Sequence, residues 1–177
     1  MRLVIDANIA RSAGSSDVPD SRYSRECLST VREHGHIAVF TQQLREEWNK
    51  HASLISRQWW RSMAGRRRIE NVEGAEFATH IDRACACLEQ EKSKADLRKD
   101  FHLVRGALAA DKTILSNEIN FPGYLSIASR TIRILGSLYY GNPAVEGEPC
   151  IEWLRRGALP EGPRRIDVWA NNRGAEG

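Results

Sequence analysis

The stretch RLVIDANIARS, from Arg2 to Ser12, decides the fold class of this chain. Leu3 to Ile5 is a short, continuous aliphatic run, which is typical of a strand buried on both faces of a parallel sheet. The run ends at Asp6, which places a carboxylate at the carboxyl end of the strand. Ligands and reactive groups collect at this edge of open α/β sheets, although Asp also commonly caps the turn that follows.

The rest of the chain repeats short apolar runs between stretches of helical spacing. Further strands are predicted over 36–40, 112–116 and around 138–143. Helices are predicted over 21–33, 42–60, 72–90, 94–110, 121–136 and 151–156. Short strands that alternate with helices indicate an α/β fold, a three-layer α/β/α sandwich around a mostly parallel sheet.

Length and composition favour one domain. The chain has 177 residues, enough to bury one substantial core. We expect a domain over 1–160 and a flexible tail over 161–177, where Pro, Arg, Asn and Gly are frequent. The segment 52–94 is long for a simple crossover, so we interpret it as a helical insertion, an arm or lid attached to the core.

Other features favour a soluble cytoplasmic protein. No apolar run approaches the roughly 20 residues that span a bilayer, and the first strand leaves no room for a signal peptide. The four cysteines are scattered without the spacing of a zinc site, which favours reduced thiols. The formal net charge of +3 is too small to identify a polyanionic partner by itself.

Acidic residues stand where a parallel sheet would bring them to one edge. Asp6 ends the first strand, and Glu47 lies in the helix after the second. Asp100 opens the helical stretch DFHLVRGALAAD, and Glu118 follows the third predicted strand. Carboxylates held close together repel one another, so they take up protons or bind a cation. Carboxylates with few histidines favour a hard ion such as Mg²⁺ or Mn²⁺.

These residues lie in segments that resemble a known family. VIDANI (4–9), TQQLREEWNKH (41–51) and DFHLVRGALAADKTILSNE (100–118) look like the three signature blocks of the PIN domain, a nuclease fold also found in VapC-type toxins. Matched residue by residue, the acidic positions of that family fall on Asp6, Glu47, Asp100 and Glu118. The resemblance covers residues 1–51 and 95–118 well and the remainder poorly.

The resemblance implies a divalent-metal-dependent endonuclease that cleaves RNA. Asp6, Asp100 and Glu118 would bind Mg²⁺ or Mn²⁺, and Glu47 would complete the shell or orient the attacking water. A toxin role would add an antitoxin protein as partner, and a homodimer is a further expectation, with no membrane association. The chain is longer than a minimal toxin, so a processing nuclease stays an alternative.

Two departures from the family pattern bear on the site. Glu118 stands where the family commonly has Asp, and its longer arm could reach a metal directly or through water. Glu46 and Glu47 are adjacent, and neighbouring helical residues point about 100° apart, so only one of them can face the site. The spacing from Thr41 and Leu44 selects Glu47, with Glu46 as the alternative.

Neighbouring polar residues are candidates for supporting roles. Asn8, Ser116 and Asn117 are expected to contact the carboxylates, a metal-bound water or the substrate, although turn chemistry and capping also explain them. Asp111 is interpreted as solvated surface at the opposite edge of the sheet. His102 is expected to face a different side of its helix from Asp100.

The strongest basic feature is RQWWRSMAGRRR, Arg57 to Arg68. Arginines pair with phosphates and tryptophan faces stack on unpaired bases, so the segment is a candidate surface for single-stranded nucleic acid. The alternative is that Trp59 and Trp60 pack the arm onto the core. The predicted phosphate contacts are Arg57, Arg61, Arg66, Arg67 and Arg68.

Two other functions remain open at this stage. A catalytically silent PIN-like protein would bind nucleic acid, or regulate, without cleaving it. A phosphatase with an aspartate nucleophile is a weaker alternative. Such enzymes carry Asp-x-Asp at this strand end, and this chain has Asp6-Ala7-Asn8.

Overall fold

A central sheet of parallel strands organises the protein, which is described by a computed structural model over residues 1–168. The strands are β1 (Arg2–Ile5), β2 (Ile37–Phe40), β3 (Ile69–Asn71), β4 (Thr113–Leu115) and β5 (Tyr139–Gly141). Their order across the sheet is β3-β2-β1-β4-β5, and every neighbouring pair is parallel. The predicted α/β class is confirmed.

Helices flank the sheet and make the arrangement compatible with a three-layer α/β/α sandwich. Over residues 1–168 the α-helices are α1 (Ala7–Ser12), α2 (Pro19–Glu33), α3 (Gln42–His51), α4 (Leu54–Gly65), α5 (His80–Ala86), α6 (Glu91–Leu108), α7 (Phe121–Ser129), α8 (Arg133–Gly136), α9 (Pro143–Glu146) and α10 (Glu148–Arg155). One layer groups α2 with α4, α9 and α10, while α6 packs on β1, β2 and β4 beside α5 and α7. None of the helices within this range is long and apolar enough to cross a membrane.

The central strand β1 sets the position of the first acidic residue. Its residues Leu3 to Ile5 are completely buried, as expected for a strand covered on both faces. Ile5 pairs with Leu115 of β4, and the backbone N–H of Asp6 donates to the Leu115 carbonyl (2.9 Å). The chain therefore leaves β1 and β4 side by side, at the carboxyl edge of the sheet.

The segment predicted as an arm or lid includes a strand of the sheet. The predicted helix over 42–60 is two helices, because Ala52 and Ser53 are extended between them. Ser53 caps α4 by accepting from the backbone N–H of Ser56 (3.1 Å). α4 then leads the chain to β3, which pairs with β2 at the edge of the sheet. β3 was not predicted from the sequence, because it is short and only partly buried. The rest of the segment holds α5 and the start of α6.

The predicted tail begins with packed residues. Ile166 is completely buried, and the Arg164 guanidinium forms a buried ion pair with Glu146 (2.6 Å). The flexibility predicted from 161 onward does not describe this part of the chain. The remainder of that prediction, residues 169–177, lies outside the described residues.

The cysteines are all free thiols, as predicted from their spacing. Cys27, Cys85 and Cys150 are buried, and Cys87 is half-buried. They belong to the packing of the protein, and burial raises the pKa of the Cys27 thiol to about 12.

Candidate active site

Asp6 is buried at the carboxyl edge of the sheet, with only 7% of its surface exposed. Its Oδ1 accepts from the backbone N–H of Asn8 (3.2 Å) and so caps α1. Its Oδ2 accepts from the hydroxyl of Ser116 (2.6 Å). The residue thus serves as a helix cap and as a site carboxylate at once, because the strand end and the helix start coincide.

A hydrogen-bonded loop after β4 places Glu118 near Asp6. The Ser116 hydroxyl accepts from the Glu118 backbone N–H (3.1 Å) and from the Asn8 side-chain amide (3.1 Å). The side-chain Oδ1 of Asn8 accepts from the backbone N–H of Asn117 (3.1 Å). The Tyr140 hydroxyl donates to the Glu118 carbonyl. Three segments that are distant in the chain therefore meet in one polar network: the start of α1, the loop after β4, and Tyr140 of β5.

This network changes the interpretation of three predicted contacts. Ser116 is completely buried, and its hydroxyl is already committed to protein groups. The Asn117 side-chain amide donates to Ser24 (3.0 Å). Asn8 reaches the site cavity, but its amide ties α1 to the loop. These residues position the carboxylates; Ser116 and Asn117 do not line the cavity that would receive a substrate.

The packing of the apolar side of α3 against the core directs Glu47 toward the cavity. Leu44 and Trp48 are buried, and the Trp48 indole N–H donates to the Ile5 carbonyl (2.8 Å), one residue before Asp6. Glu47 is therefore half-buried toward the site, with 28% of its side chain exposed. Glu46 is exposed and accepts from the side chain of Gln42, although it reaches the cavity rim.

His102 lies on a different side of α6 from Asp100, yet it contacts the site through α3. Its side chain is 2% exposed, and Nδ1 donates to the Lys99 carbonyl (3.0 Å), since a carbonyl can only accept. Its Nε2 lies 3.4 Å from a carboxylate oxygen of Glu47. Because Nδ1 holds the proton of the neutral ring, Nε2 attracts this carboxylate only when the imidazole is protonated on both nitrogens. The sequence interpretation missed this neighbour because it depends on α3 packing against α6.

One open cavity of about 470 Å³ collects the predicted carboxylates. It is lined by Asp6, Glu47, Asp100 and Glu118, which come from four separate segments of the chain. Basic residues occupy its walls as well. They are Arg11, Lys50, His51 and Lys99.

The carboxylates influence one another's protonation. Burial and the neighbouring negative charge of Asp6 raise the pKa of Asp100 to about 6, and Glu118 adds to the effect. Burial also raises the pKa of Asp6, against the hydrogen bonds from Ser116 and Asn8. Burial also tends to raise the pKa of Glu47. The interactions of Glu47 with His102, Gln43 and Lys99 outweigh this effect, so its pKa lies below the ordinary value.

The donor chemistry of the cavity suits a hard divalent cation. Asp6, Asp100 and Glu118 offer oxygen atoms. Burial and the nearby charge of Asp6 raise the pKa of Asp100, and a bound cation would favour its ionised form. Within residues 1–168, however, no three His, Cys, Asp or Glu side chains already stand in a metal-binding arrangement. Binding would require these carboxylates to draw together around the ion.

Asp111 lies at the opposite edge of the sheet, as interpreted from the sequence. It is paired there and not simply solvated: it accepts from the backbone N–H of Arg2 (2.8 Å) and lies 3.7 Å from the Arg2 guanidinium. Asp111 therefore binds Arg2 at the amino-terminal edge of the sheet and does not line the cavity.

The predicted basic surface is divided by the fold. Trp59 is 3% exposed and its indole donates to the Leu28 carbonyl, so it packs α4 onto α2 and cannot stack on a base. Trp60 is half-buried and lines a cavity of about 280 Å³ with Arg57 and Arg61.

The remaining arginines of that surface lie at the other edge of the sheet. Arg66 to Arg68 directly precede β3, and the Arg68 guanidinium donates to the Arg32 carbonyl (3.0 Å) beside Gly35, just before β2. Because parallel strands begin at one edge and end at the other, these three residues lie away from the carboxylates. The five predicted phosphate contacts are therefore spread along α4, with Arg66 to Arg68 at the end far from the carboxylates.

Sequence reasoning missed the basic residues of the cavity wall. A signal was present for two of them, since Lys50 and His51 follow Glu47 by three and four residues and so share its side of the helix. Arg11 gave no such signal, because its position depends on α1 packing against α3.

No protein-family model matches this chain, and comparisons with curated proteins and with solved structures gave no match either. The resemblance to the PIN domain therefore rests only on the segments quoted above. The geometry of the cavity does not depend on it.

Proposed function

We propose that this protein is a divalent-metal-dependent nuclease that hydrolyses phosphodiester bonds in RNA. The observation that supports it is the meeting of Asp6, Glu47, Asp100 and Glu118 at one cavity on the carboxyl edge of a parallel sheet. These residues come from four separate segments of the chain, and reactive groups collect at this edge in α/β folds.

The residues divide into two roles. Asp6, Asp100 and Glu118 would hold Mg²⁺ or Mn²⁺, because each offers hard oxygen donors. When bound, such an ion lowers the pKa of water and neutralises charge on the phosphate. The lowered pKa of Glu47 keeps it ionised at neutral pH, so it can accept a hydrogen bond from the attacking water and orient it.

The wider setting follows the resemblance to VapC-type toxins. A toxin role would add an antitoxin protein that covers the cavity, and a homodimer belongs to the same proposal. The free thiols suit a reducing compartment such as the cytoplasm.

The test is a cleavage assay with end-labelled single-stranded RNA and DNA, with Mg²⁺, Mn²⁺ or EDTA. Asp100→Asn should lower the cleavage rate by at least about 100-fold, since even the loss of a group that only supports a metal ligand costs 10–100-fold. Asp111→Asn is the matched control, because it changes a carboxylate at the opposite edge. Cleavage that survives EDTA or Asp100→Asn would contradict the proposal.

A second function is supported by one observation. Because no three metal-binding side chains are arranged for an ion within residues 1–168, a silent protein that binds nucleic acid without cleaving it fits the geometry as well. Wild-type protein that binds RNA tightly but leaves it intact with both ions would favour this function.

A further inference from the structure

The wall of the acidic cavity carries positive charge that the proposed metal site does not use. Arg11 lies in the last turn of α1, and Lys50 and His51 lie in the last turn of α3. All three are exposed and line the same cavity as the carboxylates. Within the part of the chain that the structure describes, none of them forms a salt bridge, whereas Lys99 lies 3.6 Å from Asp100.

Helix stability accounts for part of this arrangement. Basic residues near the carboxyl end of a helix are favoured by its dipole, which suits Arg11 in α1 and Lys50 in α3. The dipole does not explain why Arg11 of α1 and Lys50 of α3 line the same cavity. Nor does it explain why these cations stay unpaired beside five acidic side chains in the same wall.

We propose that Arg11 and Lys50, with His51 beside them, bind the phosphates that flank the scissile bond of a single-stranded nucleic acid. The inference rests on the proposed nuclease function and adds how its substrate is held. The carboxylates would repel a polyanion, and cations in the cavity wall would lower this repulsion beyond what a bound metal ion does. Arginine and lysine both bind phosphate through charge-assisted hydrogen bonds.

The burial of Asp6 favours a single strand as the substrate. The cavity is open, and its volume of about 470 Å³ is within the range of sites that bind one small ligand. Asp6 is almost completely buried at its base, so the reacting phosphate has to enter the cavity. A single strand can bend its backbone into the cavity more easily than a stiff duplex can, so we expect single strands to bind more tightly.

The test measures binding apart from cleavage. A fluorescein-labelled single-stranded RNA is titrated with full-length protein in EDTA, by anisotropy, at several salt concentrations. The double variant Arg11→Gln/Lys50→Gln should bind at least about tenfold more weakly. Its log–log salt dependence should flatten by about 1.4, since each lost phosphate contact removes roughly 0.7 for a single strand.

Matched variants separate local contacts from net charge. Arg45→Gln/Lys92→Gln removes two exposed cations that line neither the acidic cavity nor the Trp60 cavity, and should keep the affinity within about twofold. Arg11→Lys/Lys50→Arg should keep the salt dependence of the wild type. All of these positions are exposed, so the substitutions leave the fold intact.

The outcomes distinguish the two proposals. If the Arg11/Lys50 double variant binds like the control variant, the phosphate-binding role is wrong, whether or not the protein cleaves RNA. If binding falls as expected but wild-type protein does not cleave with either ion, the nuclease function fails and the binding role stands. Equal affinity for a duplex of the same sequence would overturn the selection of single strands.

Discussion

Asp100 is the residue whose chemistry the fold changes most clearly. Its carboxyl has a pKa of about 6 because it is buried and lies near the charge of Asp6. The folded state therefore holds a proton that the unfolded state releases near pH 3.8. Between these values the folded state binds more protons, so stability contributed by this residue is present at low pH and is lost as pH rises through about 6.

A pH series on metal-free protein tests this assignment. From pH 4 to pH 7, the free energy of unfolding of the wild type should fall by about 1–2 kcal/mol relative to Asp100→Asn, a value reduced because the carboxyl remains partly exposed. Thermal melts in EDTA measure it, and the variant should be at least as stable as the wild type at pH 7. If the free energy of unfolding of the two proteins changed with pH in parallel, the pKa of Asp100 would not be raised in the folded state.

Glu46 and Glu47 offer a second comparison of single residues. Glu47→Gln should reduce the cleavage rate more than Glu46→Gln, because Glu47 is half-buried against His102 whereas Glu46 is exposed. Both substitutions remove one charge and keep the side-chain shape, so each controls for the other. Single-turnover cleavage at saturating Mg²⁺ measures the difference, and the reverse order would move the role to Glu46.

At the scale of elements, α3 and α4 carry the most information about the site. The Trp48 indole bonded to the Ile5 carbonyl fixes the rotation of α3 against β1, and with it the direction of Glu47. α4 then crosses from the carboxyl edge, where Ser53 donates to the Ala13 carbonyl (2.6 Å), to the amino-terminal edge at β3. Only the amino-terminal end of α4 therefore lies at the same edge of the sheet as the acidic cavity.

This direction of α4 predicts unequal roles for its arginines. Arg57→Gln/Arg61→Gln should weaken binding of single-stranded RNA and flatten its salt dependence, because these residues line the Trp60 cavity beside the end of α3. The same change at Arg66 and Arg67 should leave both quantities nearly unaltered. Anisotropy titrations in EDTA compare the two pairs at equal net charge. If the second pair weakens binding as much as the first, the RNA follows a path along the whole of α4.

At the scale of the whole molecule, metal binding and folding are linked. An ion that binds only the folded state raises stability by about 2.7 kcal/mol when its concentration is 100 times the dissociation constant. For a protein of this size that corresponds to a rise in melting temperature of roughly 5–11 °C. Melts with and without Mg²⁺ or Mn²⁺ should show this rise for the wild type and for Asp111→Asn.

The same melts should show no such rise for Asp100→Asn. A comparable rise in that variant would mean that the ions bind elsewhere. The absence of any rise in the wild type would instead agree with the silent binding function.

Local sequence patterns predict several elements of the fold and the carboxylates of the candidate site. The apolar runs at β1, β2 and β4 are local patterns, and buried parallel strands require them. Asp6 and Glu118 follow such runs directly, so their edge of the sheet could be inferred without knowing the strand order. Glu47 could be selected over Glu46 because helical spacing is also a local property.

Tertiary structure alone decided the rest, because it depends on which distant segments pack together. The Ser116 hydroxyl is committed to Asp6 only because β1 pairs with β4. Arg66 to Arg68 lie away from the cavity because β3 joins the sheet and sends them to its other edge. Arg11 and Lys50 meet at the cavity because α1 packs against α3. Local periodicity determined which residues could act, and long-range packing determined which of them face the same space.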